Sequence, residues 1–239
     1  MQPFDISQNW WQLIVVAVSC YLIGCFNFAL LISKLKKRDI TKIGSGNPGT
    51  MNMSREFGWK VGVLTFFCDA LKGGVPAIIL YFIYRDYAFA NTQFAVADFM
   101  KCFGGICIII GHIFPVFLHF KGGKGIASTL GLMWACLSLE HWLWIPVGFG
   151  FLLFLVLFIF LTEWGSLGSL VGTTSFSIIQ MLIFIVTYRQ YPVNAYLVAV
   201  FMIIVGINLL TWLAHAKNLQ RLFSGEERHT SIRKMVKKK

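Results

Sequence analysis

The stretch WLWIPVGFGFLLFLVLFIFL, residues 142–161, contains no charged side chain and no side-chain amide. At 1.5 Å per residue, a helix of this length reaches about 30 Å, the thickness of a bilayer's hydrocarbon core. Six more apolar runs flank it: Trp10–Ile32, Trp59–Tyr84, Phe94–Leu118, Gly125–Leu139, Leu167–Tyr188 and Val193–Ala214. The chain therefore reads as an all-α polytopic membrane protein with about seven transmembrane helices. A transmembrane barrel would instead show alternating segments of roughly ten residues. The thinnest division falls between Gly125 and Leu161, where Glu140 and His141 supply the only break; one re-entrant span there would leave six crossings.

Composition agrees. Of 239 residues, 57% are hydrophobic and 13% charged, and mean hydropathy is +0.70. Soluble domains carry about 25% charged residues. The net charge of +11 is distributed as a membrane protein's, with no sign of a nucleic-acid partner. Lys34, Lys36, Lys37, Arg38, Lys42, Arg55, Lys121, Lys124 and a C-terminal set from Lys217 to Lys239 fall on loops of one side. Arg85 and Arg189 are nearly all the other side has. The positive-inside rule then puts the N-terminus outside and the C-terminus in the cytoplasm. A basic rim also concentrates anionic substrates.

Residues 1–225 read as one integral membrane domain. Residues 226–239, EERHTSIRKMVKKK, read as a basic cytoplasmic tail suited to anionic headgroups. The six cysteines lie in apolar runs, without metal-ligand spacing, and read as small buried hydrophobes. The first nine residues hold Asp5 and no Lys or Arg, unlike a secretory signal, so the first helix is expected to stay.

Four polar stretches interrupt this pattern. In TKIGSGNPGTMNMSREFG, residues 41–58, Gly44, Gly46 and Gly49 permit unusual backbone angles, and exposed amides beside Asn47 can form an anion-binding nest. Ser45 adds a hydroxyl and Arg55 a bidentate fork for phosphate. An ordinary turn accounts for the same Gly, Asn and Pro residues. In GHIFPVFLHFKGGKGIAST, residues 111–129, Gly122, Gly123 and Gly125 surround Lys124 just before an apolar helix. A glycine loop feeding a helix N-terminus favours phosphate. It is not a nucleotide-binding Walker loop, because Lys124 is followed by Gly125. His112 and His119 flank the end of the third span and read as packing or interfacial residues more readily than as catalysts.

Within the second run, Asp69 and Lys72 stand three apart on one helix face, either as a mutually neutralising pair or as substrate ligands. Gly73 and Gly74 beside them suit close helix packing. After the last run, His215 and Asn218 share a face if HAKNLQRLFSGEE, residues 215–227, is helical. No His-x4-Asp, Gly-x-Ser-x-Gly or His-Glu-x-x-His pattern occurs. The inventory suits holding anions more than covalent catalysis, and no cofactor or metal site is apparent.

In their order along the chain, these stretches resemble the bacterial acyl-phosphate-dependent glycerol-3-phosphate acyltransferases of the integral membrane type. The resemblance implies a seven-helix enzyme of phospholipid synthesis. Such an enzyme moves a fatty acyl group from acyl phosphate to the 1-hydroxyl of sn-glycerol 3-phosphate, yielding lysophosphatidic acid and phosphate. It implies essential roles for Ser45 and Arg55, a glycerol-phosphate loop at Gly122, Gly123 and Lys124, and third-motif roles for His215 and Asn218. Glu227 would be structural, and Ser166, or else Ser169, would match a serine after the fifth span. Two departures stand out: Ala214 and Ala216 flank His215 where the family has basic residues, and Gly49-Thr50-Met51-Asn52 replaces Gly-Ala-Thr-Asn.

An acyl phosphate is already activated, so positioning and electrostatics would carry the reaction. The proton acceptor is open between His215 and a substrate phosphate oxygen. The expected setting is the inner membrane, with the site at the cytoplasmic face and the protein working as a monomer in the lipid bilayer. The rival reading is a transporter of a small phosphorylated metabolite, which predicts broken helices around a midplane site.

Overall fold

The structure, a computed structural model, describes residues 1–226. Glu227 and the rest of the basic tail lie outside the described residues. Ten α-helices form in the described part: α1 Ile6–Cys25, α2 Phe28–Leu35, α3 Thr50–Phe57, α4 Trp59–Tyr84, α5 Val96–Ile113, α6 Ile126–Glu140, α7 Trp144–Thr162, α8 Gly165–Tyr188, α9 Ala195–Ala214 and α10 Ala216–Phe223. Six helical segments are long and apolar enough to cross a membrane: Ile6–Leu35, Trp59–Tyr84, Val96–Leu118, Trp144–Thr162, Gly165–Tyr188 and Ala195–Ala214. The seventh apolar run is the shorter helix α6, which at 15 residues spans about 22 Å.

Glu140 and His141 do divide the long run. His141 adopts extended angles (φ −157°, ψ 135°) and ends α6, so α6 and α7 are separate helices. The first run is less continuous than its hydropathy suggests. Phe26 is extended (φ −72°, ψ 118°), and Asn27 starts a new helix by accepting the Leu30 amide on its side chain. Asparagine's short amide competes with helix continuation in this way. The expected span Trp10–Ile32 is therefore a helix broken about three-quarters of the way along.

Two short strands were not anticipated. β1 (Gln2–Phe4) pairs in parallel with β2 (Tyr87–Phe89), and Phe4 meets the ring edges of Tyr84, Tyr87 and Phe89. This sheet closes one end of the bundle, and the glycine loops occupy the other.

Helix α5 forms the centre: Met100, Ile108 and Ile109 are fully buried. Close packing around it depends on absent side chains. A Cβ on Gly73 would lie 2.0 Å from the Ser128 carbonyl oxygen, and one on Gly131 would lie 2.0 Å from that of Ala70. Helices α4 and α6 thus touch backbone to backbone, as the small residues of α4 led us to expect. Helix α7 buries only Gly148 and Leu155, and presents Ile145, Phe149, Leu153 and Leu157 outward, as a lipid-facing helix does.

Candidate active site

The loop of residues 43–49 is shaped from below by Asn52, which is 1% exposed on α3. Its Oδ1 accepts the Ser45 amide at 3.0 Å, and its Nδ2 donates to the carbonyls of Ile40 and Ile43. Gly44 (φ +62°) and Gly46 (φ +71°) take left-handed angles that suit glycine. Any side chain at Gly44 would collide with the Asn52 amide. The Asn47 amide donates to Ser45 Oγ at 3.4 Å. Ser45 remains exposed, and Arg55 is half-buried on α3, which opens directly behind the loop. Asn27, at the α1–α2 break, donates from Nδ2 to the Pro48 carbonyl at 3.3 Å, pinning the loop from the other side. Neither Asn52 nor Asn27 was singled out from sequence. Their signals, an asparagine inside an apolar run for Asn27 and one within the polar glycine stretch for Asn52, also fit a simple cap or turn.

The second loop folds back on the end of α5. Gly122 donates to the Ile113 carbonyl and Gly123 to that of His112. Gly125 (φ +79°) starts α6, so the glycine loop feeds a helix N-terminus as its spacing predicts. Just before it, His119 (φ +50°) and Phe120 (φ +60°) both take left-handed angles. For a bulky residue such as Phe120 this conformation is a true outlier, of the kind that clusters at functional sites. His119 is exposed.

Lys124 reaches out of this loop to Asn218 on α10, with Nζ to Oδ1 at 2.6 Å. Asn218 passes its Nδ2 to Ser166 Oγ at 2.8 Å. His215, 3% exposed, terminates α9, and its carbonyl accepts the Asn218 amide. Its Nδ1 lies 2.8 Å from the Thr211 carbonyl, which can only accept, so Nδ1 carries the proton and Nε2 is bare. Burial, reinforced by the charge on Lys124, lowers the imidazole to a pKa of about 4. Lys124, Ser166, His215 and Asn218 therefore form one group drawn from the starts of α6 and α8 and the α9–α10 junction. Ser169 instead bonds to the Gly165 carbonyl of its own helix, so Ser166 is the serine that joins the group.

Asp69 and Lys72 are both buried on α4 and paired, with Nζ 3.4 Å from Oδ1. Lys72 also donates to the Gly24 and Phe26 carbonyls at 3.2 and 2.8 Å and meets His112 Nδ1 at 2.9 Å. A second buried cluster lies toward the sheet end. Lys101 (0% exposed) pairs with Asp98 at 2.7 Å and with Glu140 at 2.6 Å. Tyr188 donates to Asp98 and Gln180 to Glu140. The Asp98–Lys101 spacing repeats that of Asp69–Lys72 and was visible in sequence; the part played by Glu140 depends on how α5 meets α6.

The glycerol-3-phosphate acyltransferase family profile matches residues 14–225. The chain belongs to that family. It is 37% identical to the glycerol-3-phosphate acyltransferase of Aquifex aeolicus over 212 residues, 89% of this chain and 96% of that one. It is 35% identical to the Thermotoga petrophila glycerol-3-phosphate acyltransferase over 225 residues, 94% of this chain and 98% of that one. Among solved structures, it resembles the integral membrane glycerol 3-phosphate acyltransferase PlsY. The glycerol 3-phosphate form gives a TM-score of 0.72 at 29% identity, covering 95% of this chain and 100% of that one. The lysophosphatidic acid form gives 0.70 at 30%, covering 94% and 98%. The acyltransferase is thus an integral membrane enzyme of lipid synthesis, and the transporter reading is set aside.

Proposed function

We propose that the enzyme takes its acyl group from an acyl phosphate and delivers it to the 1-hydroxyl of glycerol 3-phosphate, releasing phosphate and lysophosphatidic acid. The observation that carries this reading is the pair of glycine loops at one end of the bundle, each with a cation beside it. One loop serves each substrate phosphate. Arg55 and Lys124 neutralise them, loop amides supply directed donors, and Ser45, Ser166 and Asn218 orient oxygens.

An acyl phosphate is already activated and needs no side-chain nucleophile, so Ser166, which accepts from Asn218, serves to orient oxygens. The hydroxyl of glycerol 3-phosphate attacks the acyl carbonyl directly, and phosphate leaves. The attacking hydroxyl's proton passes to a phosphate oxygen of the donor in preference to His215, whose pKa of about 4 makes it a weak base at neutral pH. His215 then works as a neutral polar group that fixes the turn carrying Asn218.

The basic loops surround this end, and Arg85 and Arg189 mark the other. By the positive-inside rule the site faces the cytoplasm, at the surface of the inner membrane, where soluble glycerol 3-phosphate arrives. In this proposal the protein works as a monomer in the bilayer.

Purified enzyme supplied with glycerol 3-phosphate and either palmitoyl phosphate or palmitoyl-CoA tests the donor. Lysophosphatidic acid should form from the phosphate and not from the thioester. Product from the thioester alone would overturn the reading.

A further inference from the structure

A polytopic membrane protein gains little stability from a buried ion pair, because desolvation offsets the attraction. The Lys72–Asp69 pair nevertheless sits in the core, and among the described residues Asp69 Oδ1 makes no hydrogen bond beyond the 3.4 Å ion pair. The lysine's other partners indicate why it is there. It donates to the carbonyls of Gly24 and Phe26, groups freed where α1 breaks. The next residue, Asn27, holds the Pro48 carbonyl of the first loop. On its other side, Lys72 donates to Nδ1 of His112, so that the imidazole proton must reside on Nε2. That edge of the ring lies against Gly123, where any side chain would collide with it. The His112 carbonyl holds the Gly123 amide as well.

We propose that Lys72 is a positioning residue for acyl transfer: its ammonium group sets the two glycine loops at a fixed spacing. It acts through Phe26, Asn27 and Pro48 on one side and through His112 and Gly123 on the other. This rests on the reading that each loop binds one substrate phosphate. Each loop would still bind its own phosphate without Lys72, but hydroxyl and carbonyl would no longer meet in line. Displacements near 1 Å cost about 100-fold in rate.

The test compares the parent, Asp69→Leu/Lys72→Met and Asn27→Ser in detergent, measuring kcat, both KM values and the melting midpoint. The double variant replaces the pair by apolar side chains of similar volume. Asn27→Ser keeps an oxygen to cap α2 but is too short to reach the Pro48 carbonyl, already 3.3 Å from Asn27 Nδ2, so it serves if the double variant does not fold.

The expected result is a kcat lowered about 100-fold in the double variant and about tenfold in Asn27→Ser, with both KM values within threefold of the parent, a ratio that a merely structural role would not produce. A ¹⁵N spectrum of the parent should show His112 as the Nε2–H tautomer. A folded double variant with kcat within twofold of the parent, an unchanged Asn27→Ser, or an Nδ1–H tautomer would each overturn the proposal. Failure of the underlying site reading looks different. In that case the parent makes no lysophosphatidic acid, or Arg55→Ala retains full turnover, whatever Lys72 does.

Discussion

Two single residues at the loop end carry opposite electrostatic duties. Lys124 donates to Asn218 Oδ1 at the loop end, and under the proposed function Lys124→Ala removes one of the two cations that face the substrate phosphates. Losing one preorganised donor of this kind costs roughly 100- to 1,000-fold in turnover. An initial-rate assay of folded Lys124→Ala should fall in that range, with Lys124→Arg recovering part of it. His215 does the reverse, staying neutral. Its folded pKa of about 4 lies below the ordinary 6.5, so the unfolded chain takes up the proton first as pH falls. Stability is full above pH 6.5 and declines by up to about 3 kcal/mol as pH drops to 4. Urea unfolding at pH 7 and pH 4.5 measures that loss, once compared with His215→Asn, in which it should shrink. The rate profile gives a second check. Between pH 5 and 8 its midpoint should be the same in the parent and in His215→Asn, although the variant turns over more slowly.

At the scale of elements, the charged pairs that look alike in sequence separate by what they join. Lys72 joins loop supports, whereas Lys101 joins helices: Asp98 on its own helix α5, Glu140 at the end of α6 and, through Asp98, Tyr188 on α8. Helix α6 is too short to lean on the bilayer for its length, and the ion pair to Glu140 fixes its far end. Lys101→Met leaves buried Asp98 and half-buried Glu140 without their cation, which costs about 3–5 kcal/mol. Thermal melting should therefore drop sharply while kcat per folded molecule stays near the parent's. Gly73→Val tests the other restraint on α6. Its side chain must displace the Ser128 carbonyl, a backbone atom that cannot swing aside, and overpacking of this kind costs roughly 1–3 kcal/mol.

The same elements mark how far the chain could be read beforehand. Apolar length gave away the helices, and glycine with basic residues gave away both loops, because those signals are local. The α1–α2 break was hidden, since Asn27 sits inside an unbroken hydropathic run and acts only through Leu30 and Pro48. The β1–β2 pairing was hidden too, because it joins Gln2–Phe4 to Tyr87–Phe89 across more than eighty residues of sequence. Asn52 belonged to a stretch already suspected, yet its part as the hub beneath Ser45 depends on the turn of α3 that buries it.

For the whole molecule, direction in the membrane is the property on which the active-site assignment depends. Basic side chains crowd the loop end while the sheet end is nearly neutral, and translocation of so many Lys and Arg residues is disfavoured. Lys36 and Lys121 are exposed at the loop end, and Arg189 is exposed at the other. The six cysteines are free and in apolar segments, so a cysteine-free background is a reasonable starting point. In it, Arg189→Cys should react with a membrane-impermeant maleimide in intact cells, and Lys36→Cys and Lys121→Cys only after the membrane is opened. A labelled Lys121→Cys in intact cells would place the Lys124 loop outside, away from cytoplasmic glycerol 3-phosphate. Because the Lys124 loop shares its end with Ser45, Arg55, Ser166 and Asn218, that one result would move the entire site to the wrong side.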